Sequence, residues 1–286
     1  MVIPAKMMAR LLQRQEGCED MNLEPSSRIA RKIFTANQNM ERFEPLRGDD
    51  EPDSLESAYT IQDEVHRLMQ SEADMGPIGG HKIALTSKAI QELCGVDKPV
   101  YGSIFAKTIR RSPCVLKLSD FMRLGLEFEV AFEVGRDVMP DGAPYDTHSI
   151  ADFARTCMPA FELIEDRIAD YGDLDAASIL TDRCWCGGIV LGAPVEDWQN
   201  LDLARTHVDL NWNGEIVDRS VAGDALGHPL AGLAWIANHL ASRGRMLREG
   251  EIVMTGSALK TRFTKPGDKV VYSIEGLGEV AVRIEA

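Results

Sequence analysis

The chain has 286 residues, enough for one large domain or one domain with a smaller appendage. A formal net charge of −14 argues against nucleic acid or an anionic membrane surface as the main partner. No apolar run approaches the roughly 18 residues of a membrane span, and the N-terminus lacks the continuous apolar core of a secretory signal, so none is expected.

Six cysteines (Cys18, Cys94, Cys114, Cys157, Cys184 and Cys186) show no zinc-ribbon spacing, which predicts reduced thiols in a cytoplasmic protein. Residues 1–24 have little pattern and read as a mobile extension, with Met21 an alternative start. Ile29, Ile33 and Phe34 predict a short amphipathic helix capped by Ser26 or Ser27. A polar loop over 45–52 leads to a better-marked helix. There Asp53 and Glu56 resemble a capping box, and Leu55, Ala58, Tyr59, Gln62, Val65 and Met69 share one face. Gln62 is that face's polar member and reads as an amide satisfied within the helix packing.

Residues 76–80 form a glycine-rich break without the strand–GxGxxG–helix context of dinucleotide binding. A strand over 81–87 then ends in Thr86 and Ser87, followed by a helix to about Leu93 and a turn over 95–99. The stretch 126–134 alternates apolar and acidic residues. As a strand it sends Leu126, Phe128, Val130, Phe132 and Val134 to one side and Glu127, Glu129 and Glu133 to the other. The ordinary meaning of such alternation is a solvated acidic face. The other meaning is a pair of carboxylates converging on a hard divalent cation, Mg²⁺ or Mn²⁺.

Residues 158–168 are mostly apolar with Glu162, Glu165, Asp166 and Arg167 embedded. Glu162 is the third candidate ligand: a carboxylate in a buried strand is costly unless a cation compensates it, and Arg167 or water would serve equally well. Strands are predicted at 189–192, 207–212 and 215–217, the last two joined by Asn213-Gly214, a strong hairpin signal. Leu230, Leu233, Ala234, Ala237, Leu240 and Ala241 form a helical stripe stopped by Gly244. Strands at 252–254, 269–274 and 279–284 close the chain. Strands dominate the second half without regular strand–helix alternation, which predicts a mixed α+β fold. Lys82, flanked by glycines and apolar residues, is a candidate proton carrier if desolvated.

Several of these pieces occur together in a known order. They are Gly80-His81-Lys82-Ile83-Ala84-Leu85-Thr86-Ser87, Gly95-Val96-Asp97-Lys98-Pro99 with Tyr101-Gly102, Glu127-Phe128-Glu129, and Ala160-Phe161-Glu162 with Arg167. Leu226-Gly227-His228-Pro229-Leu230 and Thr255-Gly256-Ser257 with Pro266-Gly267-Asp268 follow. The set resembles the 2-keto-4-pentenoate hydratase and 4-oxalocrotonate decarboxylase branch of the fumarylacetoacetate hydrolase superfamily. The resemblance runs from about Ile29 to the C-terminus.

The resemblance implies a helical portion over 25–75 and a catalytic β-rich roll over 76–286. It implies Mg²⁺ or Mn²⁺ held by Glu127, Glu129 and Glu162, with Lys82 moving protons and Thr86, Ser87 and Ser257 holding the carboxylate of a 2-oxo acid. A homo-oligomeric lyase acting on products of aromatic-ring cleavage is expected, a hydratase ahead of a decarboxylase. Two departures stand out: Val100 replaces an acidic residue common before Tyr-Gly, and Thr181-Asp182-Arg183-Cys184-Trp185 replaces an Ala-Asp-Asn-Ala-Ser-like stretch. Arg183 is therefore expected to recognise a second carboxylate, which would favour a dicarboxylic substrate. Two alternatives stay open: a C–C bond hydrolase using His66 or His81 with a glutamate, and a non-catalytic partner subunit.

Overall fold

The structure, a computed structural model, describes residues 24–286, so the extension expected over 1–24 lies, except for Glu24, outside the described residues. Helix α1 (Pro25–Gln38) begins with its proline, whose missing N–H costs nothing in the first turn. Ser26 and Ser27 lie inside the helix and make no side-chain cap, contrary to expectation. Helix α2 (Leu55–Ser71) is capped one residue later than expected. Ser54 and Ser57 bond each other's backbone N–H at 3.1 Å, in place of Asp53 and Glu56. The two helices share a small apolar cluster of Ile29, Ile33, Phe34, Val65 and Leu68 that ends on Phe105.

Strand β1 (Ile78–Ala84) stops three residues short of its predicted end, because Leu85 takes a left-handed backbone with φ +56°. That turn frees Thr86 and lets the Ser87 hydroxyl accept the Ile90 N–H, starting helix α3 (Lys88–Leu93). The chain continues through β2 (Val100–Phe105), β3 (Ile109–Arg111), β4 (Cys114–Lys117), β5 (Leu124–Val134) and β6 (Ala154–Glu165). A short helix, α4 (Ala176–Thr181), and a tight turn at Arg183–Trp185 precede β7 (Cys186–Leu191). The hairpin β8 (His207–Trp212) and β9 (Glu215–Val221) turns at Asn213-Gly214, both with positive φ, as a primed turn requires. Helix α5 (Pro229–Ser242) is capped by His228 Nδ1. It is followed by β10 (Ile252–Ser257), β11 (Arg262–Phe263), β12 (Lys269–Ile274) and β13 (Gly278–Glu285).

Two mixed sheets result, in a β-rich α+β fold. The larger has the order β2-β1-β10-β5-β6-β7-β3, with β11 on the end of β5; the smaller has the order β4-β13-β12-β8-β9. Strand alternation gives the central strands two buried faces. On one, Phe128 and Phe161 pack edge to face at 5.9 Å, and Phe128 meets Tyr272 of the smaller sheet at 5.7 Å. On the other, Ala131, Met158, Ala160, Ile189, Leu191, Ile252 and Met254 form a separate apolar cluster. Glu129 lies two residues from Ala131, Glu162 lies two from Ala160, and Lys82 pairs with Met254. The acidic face of β5 is therefore turned onto an apolar floor. A solvated acidic face is not what forms: Glu129 and Glu162 are both fully buried.

Candidate metal centre and its cavity

The antiparallel register of β5 and β6 sets Glu127 opposite Glu162, with Glu129 one alternation further along the same face. Each of the three offers a carboxylate oxygen, and these oxygens lie within 4.8 Å of one another. Glu133, expected on the same side, is used elsewhere: it pairs with Arg155 at 3.1 Å and receives the Thr156 hydroxyl.

Glu127 and Glu129 are each anchored by one hydrogen bond, and Glu162 is held only by an ion pair. Glu129 Oε2 accepts the Gly256 N–H at 2.7 Å, whereas its Oε1 is buried without a hydrogen-bond partner. Glu127 Oε1 accepts the Thr261 hydroxyl at 2.6 Å. Neither Glu162 oxygen has a hydrogen bond. Lys82 Nζ stands 3.0 Å from Glu162 Oε1, an ion pair whose angles fall short of a hydrogen bond. Buried carboxylates with unmade bonds are costly, and one ammonium cannot balance three of them. An all-oxygen set of this kind fits a hard divalent cation.

The titration behaviour follows from the same crowding. Burial, reinforced by the charges of Glu162 and Glu127, pushes the Glu129 carboxyl far above the ordinary glutamate range. Burial raises Glu162 to about 7 against the opposing pull of Lys82. Burial alone would lower the Lys82 pKa, but the facing negative charges, Glu162 foremost, win and raise it.

The centre opens into a cavity of about 550 Å³ lined by Lys82, Glu127, Thr86, Ser87 and Ser257. Ser257 also ties strands together, accepting the Phe128 N–H at 2.8 Å and donating to the Leu259 carbonyl. Arg183 lies elsewhere and corrects the expectation of a carboxylate-reading arginine. It is not on the cavity lining; its guanidinium donates to the Cys186 carbonyl at 2.9 Å and to Asn37 at 3.1 Å. Its backbone explains the direction, because Arg183, Cys184 and Trp185 all have positive φ, and Cys184 and Trp185 reach the cavity instead. Val100, fully buried opposite Ala84, brings no charge to the site.

The histidines do not assist. His81 Nε2 is 3.5 Å from Glu251, but as the neighbour of Lys82 on β1 it points to the opposite face, against the Tyr101 ring. His66 is buried on α2, 4.0 Å from Asp63. Neither lines the cavity. Arg167 pairs with Asp182 and not with Glu162. The residues that sequence reasoning missed are Thr261 and Gly256, which hold the acids through a hydroxyl and a backbone N–H. Gly256 entered the sequence reading only as part of the motif Thr255-Gly256-Ser257, with no role assigned to its N–H.

The family model for fumarylacetoacetate (FAA) hydrolase C-terminal matches residues 107–285. A 2-keto-4-pentenoate hydratase of Paraburkholderia xenovorans (strain LB400) is 30% identical over 260 residues, covering 90% of this chain and 94% of that protein. A 4-oxalocrotonate decarboxylase of Pseudomonas putida is 27% identical over 264 residues, covering 92% and 98%. Among solved structures, 4-oxalocrotonate decarboxylase from Pseudomonas putida G7, complexed with magnesium and adipate, superposes with a TM-score of 0.82 at 26% identity. That match covers 91% of this chain and 97% of the other. With more than half its length matched and its acids on one buried face, the chain belongs to the fumarylacetoacetate hydrolase family.

Proposed function

We propose that this protein is a divalent-metal-dependent lyase that hydrates a 2-hydroxy-2,4-dienoic acid, as 2-keto-4-pentenoate hydratases do in handling products of aromatic-ring cleavage. The observation that carries the reading is one buried ammonium, Lys82, beside three clustered carboxylates, with Lys82 and Glu127 lining a cavity. A scaffold subunit has no physical use for such a set, which is expensive to bury.

Glu127, Glu129 and Glu162 would hold Mg²⁺ or Mn²⁺. When bound, the cation would draw charge from the 2-oxygen and carboxylate of the substrate and so favour its enolate. Thr86 and Ser87, at the open end of β1, would hold the carboxylate, with Ser257 bracing the facing strand. Lys82 would carry the proton delivered to C5, turning the dienol into a conjugated 2-oxo-3-enoate. Water then adds at C4 and a proton at C3, so the product gains one H₂O. The apolar floor under the lysine excludes bulk water from the proton path.

A decarboxylase of the same branch is the second reading, favoured by the similarity to 4-oxalocrotonate decarboxylase. The proposal includes a cytoplasmic location, which suits free cysteines, and a homo-oligomeric state open to light-scattering measurement. Loss of the dienoate ultraviolet band with Mg²⁺ but not with EDTA, and a product heavier by one water, is the expected result. Release of CO₂ selects the decarboxylase, and two acid fragments select a hydrolase. No turnover of any dienoate by the metal-loaded protein ends the enzymatic reading.

A further inference from the structure

Beyond β1 the chain turns at Leu85, and the backbone there is held by a side chain outside the site described so far. Leu85 has φ +56°, a left-handed conformation that a residue with a Cβ avoids unless its surroundings impose it. The imposing group is Gln91 on α3, only 3% exposed. Its Nε2 donates to the Leu85 carbonyl at 2.8 Å. The Lys88 ammonium, which can only donate, meets Gln91 Oε1 at 3.2 Å and so fixes which end of the amide faces Leu85. The partner of this buried amide is thus not a neighbour on its own helix but a left-handed peptide six residues back.

That bond holds the start of the hydroxyl pair. Thr86 and Ser87 follow Leu85 directly, and both line the cavity. From the other side Thr86 meets Gly256: a Cβ on that glycine would stand 3.0 Å from Thr86 Cγ2. The N–H of Gly256 is the donor that anchors Glu129. Thr86 is therefore seated between α3 and the peptide that fixes one of the acids. An extended Leu85 would continue the line of β1 and move Thr86 and Ser87 off that seat.

We propose that Gln91 is a positioning residue: through the Leu85 carbonyl it holds Thr86 and Ser87 where they receive the substrate carboxylate. The assignment rests on the 2-oxo acid chemistry proposed above. Gln91 itself does not line the cavity, so it acts only through the turn.

The test reads substrate binding against metal binding and against backbone strain. Calorimetry of Mg²⁺-loaded Gln91→Met with pyruvate should show affinity about ten-fold weaker than in the wild-type protein, with Mg²⁺ affinity within about two-fold. In turnover of the dienoate, KM should rise by about ten-fold while kcat stays within about three-fold. Glycine takes a positive φ without penalty, so Leu85→Gly makes the bond dispensable. In that background Gln91→Met should weaken pyruvate binding about two-fold or less, a coupling that plain loss of helix packing would not produce. Gln91→Glu keeps the length and the Lys88 contact but has no N–H to give, and it replaces the methionine if that variant does not fold.

Unchanged pyruvate affinity in a folded Gln91 variant overturns the role. So does an equal loss of pyruvate and Mg²⁺ affinity, or an equal penalty in the two Leu85 backgrounds. No pyruvate binding by the wild-type Mg²⁺-loaded protein overturns the 2-oxo acid reading and the role with it. If the pyruvate series holds while no dienoate reacts, the hydratase reading falls and the role of Gln91 stands.

Discussion

Lys82 Nζ lies 3.0 Å from Glu162 Oε1 with both side chains buried, so each is the other's nearest opposite charge among the described protein groups. Lys82→Met, which keeps the volume, should lower kcat by about 10² to 10⁴, the usual worth of a positioned proton carrier. Mg²⁺ binding should persist and tighten, because a positive charge beside the cation has gone. Calorimetry paired with steady-state kinetics checks both. Near-parental kcat, or lost metal binding in a folded variant, would turn the lysine into a structural counter-ion.

The raised carboxyl groups make stability depend on pH in a specific direction. Glu162 titrates at about 7 and Glu129 well above the ordinary range, so at intermediate pH the native metal-free protein holds protons that the unfolded chain has released. Their contribution to stability therefore falls as pH rises from about 4.5 toward 7, by up to about 1.4 kcal/mol per pH unit for each retained proton. Buried His66 and His239, the latter pulled down to about 4 by burial, act in the opposite sense up to about pH 6.5. Subtracting urea-unfolding curves in EDTA from those in Mg²⁺ removes that background. The gain from Mg²⁺ should grow from pH 5 to 7.5 and shrink in Glu129→Gln. A gain independent of pH would mean that the acids are already ionised.

Much of this centre was legible because its chemistry is local to strands. The alternation 126–134 puts Glu127 and Glu129 on one face whatever they pack against, and an acid inside the apolar run around Glu162 demands compensation. Strand identities and the Asn213-Gly214 turn followed from period and turn chemistry. The sequence could not show that the acidic face lies on an apolar floor, since that depends on sheet order: β10 enters between β1 and β5 from more than a hundred residues away. Nor could it show where Arg183 points, because three consecutive left-handed residues have no propensity signal when none of them is glycine. Thr261 escaped for the same reason: a loop threonine bonds Glu127 only through the tertiary fold.

Thr261 offers a test of the anchoring of Glu127 that leaves all three acids in place. Its hydroxyl donates to Glu127 Oε1 at 2.6 Å and so fixes the half-buried member of the trio. Thr261→Val should weaken Mg²⁺ binding about 10- to 100-fold, the usual cost of removing an outer hydrogen bond to a ligand. Thr261→Ser should restore it. Calorimetric Kd values decide, and equal values in the valine and serine variants would make the hydroxyl incidental.

Gly102 connects the sheet to the cavity wall. A Cβ at this position would lie 2.3 Å from the Arg183 carbonyl oxygen, a backbone atom that cannot swing aside as a flexible side chain could. Gly102→Ala must therefore displace either β2 or the Arg183–Trp185 turn, at a cost of about 1–3 kcal/mol for overpacking. The metal site hangs from β5, β6 and β10, so Mg²⁺ affinity should change little. Trp185 rides on the displaced turn, so KM for a substrate reaching the wall should rise more than kcat falls. Thermal unfolding, Mg²⁺ calorimetry and kinetics on one preparation separate the effects; an equal loss of Mg²⁺ affinity and substrate affinity would show that the turn and the metal centre move as one body.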